Sequence, residues 1–329
     1  MNQALKRREF ITLLGGAAAW PTAARAQQPA VPVVGYLRGG GRVASALLDA
    51  AFRQGLASMG FEERRNVTID YRYVDGQYDR QAAEVADLLR RQVAVIYAAD
   101  NAAALAAKAA TTTVPIVFRT GGDPIQLGLV TSLNRPGGNV TGVSFLTTAT
   151  AAIRLQMLHE AVPSATVMGR LVNASNPTTV SNTKEAQDAA DKLGIELYVA
   201  SATNAQEIDA AFASLVERRV QALVIDGDSY FSSRCQQLAV LSVRHAMPSI
   251  YTGRALPDAG GLMSYGASNV DADRLGGVYV GHILKGENPA TLPVGQSTKV
   301  ELVINLIVAK ALGLSLPLTL LGRADEVIE

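Results

Sequence analysis

Short apolar runs and amphipathic stretches alternate along most of this chain. The run 33–37 predicts a strand that stops at Gly39, Gly40 and Gly41. Leu48, Ala51, Phe52, Gly55, Leu56 and Met59 then recur at helical spacing, and Gly60 supplies a stop. Residues 67–74 alternate as a second strand, 78–91 read as a helix, and 93–98 form a third strand ending at Asp100 and Asn101. An alanine-rich helix over 102–111 leads to a fourth strand starting at Val114, and 140–145 read as a fifth. Such regular alternation predicts a parallel sheet wrapped by helices.

The rhythm restarts after Thr147. Ile153, Leu155, Leu158 and Ala161 mark a helix, followed by strands at 167–172, 196–200, 222–225 and 249–252 with helices at 180–193, 205–219 and 233–245 between them. The tail adds a strand at 261–265, a helix at 271–285, a strand at 300–304 and a last helix to Leu312. The tail is too short for a third domain, so it completes the two existing units. The fold class is therefore α/β, with two doubly wound parallel-sheet lobes joined by a multi-strand hinge. Residues 31–145 with 260–295 are assigned to the first lobe, and 146–259 with 296–329 to the second. Ligands of such sheets bind beyond the carboxyl ends of the strands, and closure of two facing lobes buries them.

The N-terminus reads differently. Lys6-Arg7-Arg8 precedes a weakly apolar run over 11–20, and Ala24-Arg25-Ala26 is a small-residue cleavage site, which together predict a twin-arginine signal peptide over 1–26 and a periplasmic protein cleaved near Ala26. The run is shorter than the roughly 20 apolar residues of a membrane span. Removing it leaves 329 − 26 = 303 residues and takes the net charge from +1 to −2, because the leader carries +3. That balance gives no basis for a nucleic-acid or anionic-membrane partner. Cys235 is the only cysteine and cannot form an intramolecular disulfide, and the only tryptophan, Trp20, lies in the leader.

Residues 116–145 contain two strand-like runs separated by turns at 120–124 and 134–139, rich in glycine, aspartate and hydroxyl groups. Glycines there let the backbone approach a bound molecule and leave N–H groups bare. This stretch, with 259–266, 281–286 and 323–328, resembles the periplasmic ABC-transporter substrate-binding family whose known members include aromatic amino acid binders. The resemblance spans essentially the whole chain after the leader. It implies the type I periplasmic binding protein fold, capture of an aromatic or branched amino acid or a related carboxylate, and delivery to an ABC permease. A monomer is expected.

Three catalytic readings compete with this one. Gly39-Gly40-Gly41-Arg42-Val43-Ala44 fits G-x-G-x-x-A between a strand and a helix, as in a twin-arginine-exported NAD(P)-dependent oxidoreductase. The ribose-binding acid of that motif lies about 20 residues on, whereas the candidate here, Asp75, is farther away. His159, His245 and His282 are not at metal-ligand spacing, and Ser144 is not in a G-x-S-x-G elbow. The expectation is a binding protein that is not an enzyme and needs neither cofactor nor metal. A ligand-sensing module for a separate receptor is the remaining alternative.

Position at strand ends selects the candidate ligand-binding residues. In the first lobe these are Arg38, Gly40, Asp100, Asn101, the turn Gly121, Gly122 and Asp123, and Ser144. In the second they are Asn173, Ser175, Asp226, Asp228 and Tyr251, with Tyr265 from the returning segment. Asp226 ends an apolar run, so its carboxylate needs a cation or several N–H donors. Either the loop 227–229 or a ligand ammonium group meets that need.

Overall fold

A computed structural model describes residues 31–145 and 148–329. The predicted signal peptide lies outside the described residues. In chain order the first lobe begins with β1 (Val33–Arg38), α1 (Ala46–Ser58), β2 (Thr68–Tyr73), α2 (Gln81–Arg90), β3 (Val95–Ala98), α3 (Asn101–Ala110), β4 (Ile116–Thr120) and β5 (Val140–Ser144). The second lobe follows with α4 (Thr148–Ala161), β6 (Val167–Val172), α5 (Thr179–Leu193), β7 (Glu196–Ser201), α6 (Ala205–Glu217), β8 (Ala222–Ile225), α7 (Ser229–Ser233), α8 (Cys235–Arg244), β9 (Ser249–Tyr251), α9 (Ala255–Asp258) and β10 (Met263–Ala267). The chain then returns through α10 (Asn269–Leu284) and β11 (Gly295–Gln296), and crosses again into β12 (Val300–Asn305), α11 (Leu306–Ala311), α12 (Leu318–Leu321) and β13 (Glu326–Ile328).

The first sheet has the order β11-β5-β4-β3-β1-β2 and is parallel throughout. The second runs β13-β12-β10-β9-β8-β6-β7 and is parallel except where β10 meets β12. Strands β3, β4 and β8 are buried along their whole length, as expected for parallel strands covered by helices on both faces. Register aligns Ala98 with Phe118 and Thr120 with Ser144 in the first sheet, and Leu171 with Ile225 in the second. The carboxyl ends of neighbouring strands thus form two level edges.

Two sequence-based assignments change. Residues 263–267 pair with β9 and β12 and so belong to the second sheet, which moves the start of the returning first-lobe segment from 260 to the crossing at Ser268. The helix expected over 233–245 is two helices meeting at Arg234, because the Asp228 carboxylate accepts from Tyr230 N and Phe231 N and starts α7 earlier.

The chain crosses between lobes three times, after Phe145, at Ser268 and over 297–299. The crossings are bonded to one another: Ser297 N donates to Ser144 O at 3.0 Å, and Ser268 N donates to Lys299 O at 2.8 Å. Past the second crossing, α10 lies against α1. A Cβ on Gly55 would stand 1.8 Å from Arg274 O, and one on Gly277 would stand 2.1 Å from Phe52 O. Only glycine permits that approach, so α10 is fixed to the first lobe although it is reached from the second.

Candidate functional site

The two level edges face one another across a cleft of about 90 Å³, lined from both lobes. Its first-lobe floor is built from buried charges. Arg38, the last residue of β1, donates from Nη2 to Asp273 Oδ1 at 2.5 Å and from Nε to Tyr36 OH at 2.9 Å. Arg119, on β4, donates to Ala99 O and to Asn269 Oδ1, and its Nε faces Asp273 Oδ2 at 3.2 Å. Its guanidinium lies 4.5 Å from the Phe145 ring centroid. Asp273 is fully buried on α10 and also accepts from Tyr97 OH at 2.8 Å. Burial works most strongly against the Arg38 charge, but Asp273, Tyr36 and Tyr97 together outweigh it and keep the guanidinium protonated.

Asp273 therefore faces two guanidinium groups, and a second buried carboxylate, Asp49, has Oδ1 3.9 Å from Arg38 Nε. Each guanidinium has five N–H groups. Arg38 makes no hydrogen bond from Nη1 among the described residues, and Arg119 keeps one further N–H on each terminal nitrogen. Asn101 and Ala102, the first residues of α3, line the same wall. The partial positive charge of a helix N-terminus adds there to the two cations.

The second-lobe wall centres on Asp228. Its Oδ1 accepts from Asn173 Nδ2, Tyr230 N and Phe231 N, and its Oδ2 accepts from Asn176 Nδ2 at 3.0 Å and from Tyr78 OH at 2.9 Å. Burial raises the pKa of its carboxyl group, against the pull of those hydrogen bonds. Tyr78 belongs to the first lobe, so this cluster ties the lobes together. Arg234 Nη2 and Asp75 Oδ2, 3.7 Å apart, form a second, half-exposed tie. Asn101 Nδ2 and Asn176 Oδ1, at 3.5 Å, are a third contact. The lobes are closed on one another.

Of the residues selected from sequence, Arg38, Gly40, Asp100, Asn101, Gly121, Asp228 and Tyr251 line this cleft. The others do not. Asp226 is spent on the fully buried Arg170, which donates from Nε to Oδ1 at 3.0 Å and from Nη2 to Oδ2 at 2.5 Å. Neither alternative foreseen for it, loop or ligand, supplies its partner. Tyr265 packs into the second-lobe core. Asp123 turns back to accept from Ile125 N and Gln126 N, and Gly122 is pressed between Leu127 and Thr178. Ser144 is buried in β5, its carbonyl taking part in the hinge. Asn173 supports Asp228 from behind, and Ser175 is exposed, with its N–H bonded to Asn173.

Sequence reasoning passed over Arg119, Tyr78, Asn176, Asn269 and Asp273. Arg119 carried a usable signal, because an arginine directly after the apolar run 116–118 cannot be buried without a partner. The Gly39–Gly41 turn faces the other lobe: a Cβ on Gly40 would meet Ser229 O at 3.0 Å.

Residues 44–328 match the family described as ABC transporter substrate binding protein. The chain belongs to that family. A curated relative of this substrate-binding protein, named tyrosine-binding protein, from Clostridioides difficile (strain R20291), is 25% identical over 264 residues, which cover 79% of this chain and 75% of the relative. Among solved structures, a conserved domain protein from Vibrio cholerae O1 biovar El Tor superposes with a TM-score of 0.84 at 25% identity, covering 90% of this chain and 99% of that one. An ABC domain from Streptococcus pneumoniae in complex with L-Trp gives 0.81 at 24% identity with the same coverage. The two-lobed α/β architecture is that of the type I periplasmic binding proteins, as the sequence resemblance implied.

Proposed function

We propose that this substrate-binding protein is exported and serves an ABC importer, capturing a small carboxylate-bearing solute of amino-acid size between its lobes and presenting the closed form to a membrane permease. The observation that carries this reading is the pair Arg38 and Arg119, held by Asp273 on the cleft floor with N–H groups to spare. Guanidinium groups fixed in that way suit a carboxylate, whose two oxygens accept parallel N–H bonds. The tyrosine and L-Trp named for the relatives share that group. Capture is by hydrogen bonding and closure, without catalysis or cofactor, and the protein acts as a monomer. The leader carries it to the periplasm, with cleavage near Ala26.

A thermal-shift screen against amino acids, other carboxylic acids and sugars tests this function. A ligand at 100 times its Kd stabilises the fold by about 2.7 kcal/mol, and carboxylates alone are expected to do so. Stabilisation by sugars and by no carboxylate would overturn the reading. Replacing Arg7 and Arg8 with lysine should leave precursor in the cytoplasm; normal periplasmic levels of mature protein would exclude the twin-arginine route.

A further inference from the structure

We infer that α7 is a latch: its first turn seats in a socket of the first lobe formed by two glycine turns, and the lobes close fully because residues 40 and 76 carry no side chain. The inference rests on the capture by closure proposed above and names the part of the chain that secures it.

The socket is built where β1 and β2 end. Gly39, Gly40 and Gly41 follow β1, and Asp75 and Gly76 lie just past β2. The two turns are bonded together, since Gly76 N donates to Gly39 O at 2.7 Å and Val74 N donates to Arg38 O at 3.1 Å. The first turn fits a nucleotide-binding pattern in sequence, yet what it faces is the backbone of the other lobe. A Cβ on Gly40 would stand 3.0 Å from Ser229 O, while the nearest atom of its own lobe, Ser45 Oγ, would be 3.6 Å away. The first lobe alone thus has room for a side chain at residue 40, and only closure removes that room. Gly76 has φ 85°, in the region that favours glycine. A Cβ there would stand 2.8 Å from Tyr230 Cγ and closer still to Cδ2.

What enters the socket is a fixed turn. The Asp228 carboxylate accepts from Tyr230 N and Phe231 N and so caps α7. Phe231 is fully buried in the second-lobe core, and Tyr251 OH donates to Asp228 O at 3.0 Å and pairs with Ser232 Oγ at 2.7 Å. Once the turn is seated, polar contacts surround it. Tyr78 OH donates to Asp228 Oδ2 at 2.9 Å and accepts from Tyr230 N at 3.3 Å. The Arg234 guanidinium lies 5.1 Å from the Tyr230 ring centroid and faces Asp75 at 3.7 Å. A rigid turn in a socket that fits only backbone is either seated or withdrawn, which makes closure a two-state step. The glycines of a nucleotide-like motif thereby find their use in shape, without a nucleotide.

A zero-length cross-link tests the latch. Arg234→Lys puts an amine beside the Asp75 carboxylate, and a water-soluble carbodiimide condenses the two to an amide, with loss of water, while α7 is seated. Mass spectrometry of the digested protein reads the rate of that link, and the parent, with no amine at residue 234, is the blank. The reaction is run without solute, so the thermal-shift screen decides the function separately. The link is expected to form in Arg234→Lys, to slow when Gly40→Ala is added, and to slow by about tenfold or more with Gly40→Val, as overpacking a close contact predicts. Circular dichroism establishes which variants are folded, and Gly40→Ala carries the comparison if Gly40→Val is not. An unchanged rate in the larger of the folded Gly40 variants overturns the inference, and so does absence of the link with Gly40 in place.

Discussion

The two lobes solve the same problem, buried arginine beside aspartate at a strand end, in opposite ways. In the second lobe Arg170 donates twice to Asp226 across neighbouring strands, with Asn182 O taking a further N–H, and the pair is sealed from the cleft. In the first, Asp273 is shared between Arg38 and Arg119, so neither guanidinium is exhausted and both reach the cleft. The sealed pair is architecture, and the shared one is the recognition element of the proposed function. A charge at a strand end therefore does not by itself mark a binding residue. The two sites differ in whether guanidinium N–H groups are left facing the cleft.

The sharpest way to break this contrast is Asp226→Ala. It strands Arg170 in the core, and losing one partner of a buried pair costs about 3–5 kcal/mol. Denaturant unfolding should show that loss, while any protein that remains folded binds solute with unchanged affinity. Arg119→Gln should do the reverse. It removes a charged hydrogen-bond donor from the cleft, at about 1.5–3 kcal/mol, so carboxylate affinity should fall by about 10- to 150-fold in calorimetry. Stability should change less, since Asp273 keeps Arg38 and Tyr97.

Smaller effects sharpen the comparison at the contact between lobes. Tyr78→Phe deletes one hydroxyl bonded to Asp228, a net contribution of about 0.5–1.5 kcal/mol. Solute affinity should fall by roughly two- to tenfold, and small-angle scattering should show a less compact liganded form. The smallest effect concerns pH. Burial raises the Asp228 pKa above its unfolded value, so the contribution of this group to stability is full below the ordinary carboxylate range and is lost as pH rises through the raised value. Asp228→Asn does not ionise. The melting temperature of the parent minus that of the variant should therefore shrink as pH rises from acid toward neutral; a constant difference would show that the carboxyl does not titrate in that window.

Elements defined by local pattern were legible in the sequence. The strands β6 and β8 were read to the residue, because β8 is an uninterrupted apolar run and β6 is one broken only by Arg170, with ends fixed by polar residues and turns. The position of Asp226 at a strand end was also readable. Its partner was not, since Arg170 lies 56 residues away and only the β6–β8 pairing brings them together. Asp273 was missed for a similar reason. It sits in a helix whose spacing looks ordinary, and its importance arises from a packing of α10 on α1 that depends on glycines far apart in sequence. The lobe to which 263–267 belong was misjudged because an apolar run shows that a strand exists without showing which sheet it joins.

The shared carboxylate has a consequence for how the chain is made. Asp273 is synthesised 154 residues after Arg119 and 235 after Arg38. At 5–20 residues per second, the ribosome leaves the first lobe for roughly 8–30 s with its second arginine made and no Asp273 to pair with it. Through most of that interval β1 to β5 are already made and Arg38 has Asp49 beside it, with Asp49 Oδ1 3.9 Å from its Nε, but Arg119 still lacks its carboxylate. Completion of the first-lobe floor thus waits on the helix that returns from the lobe made second.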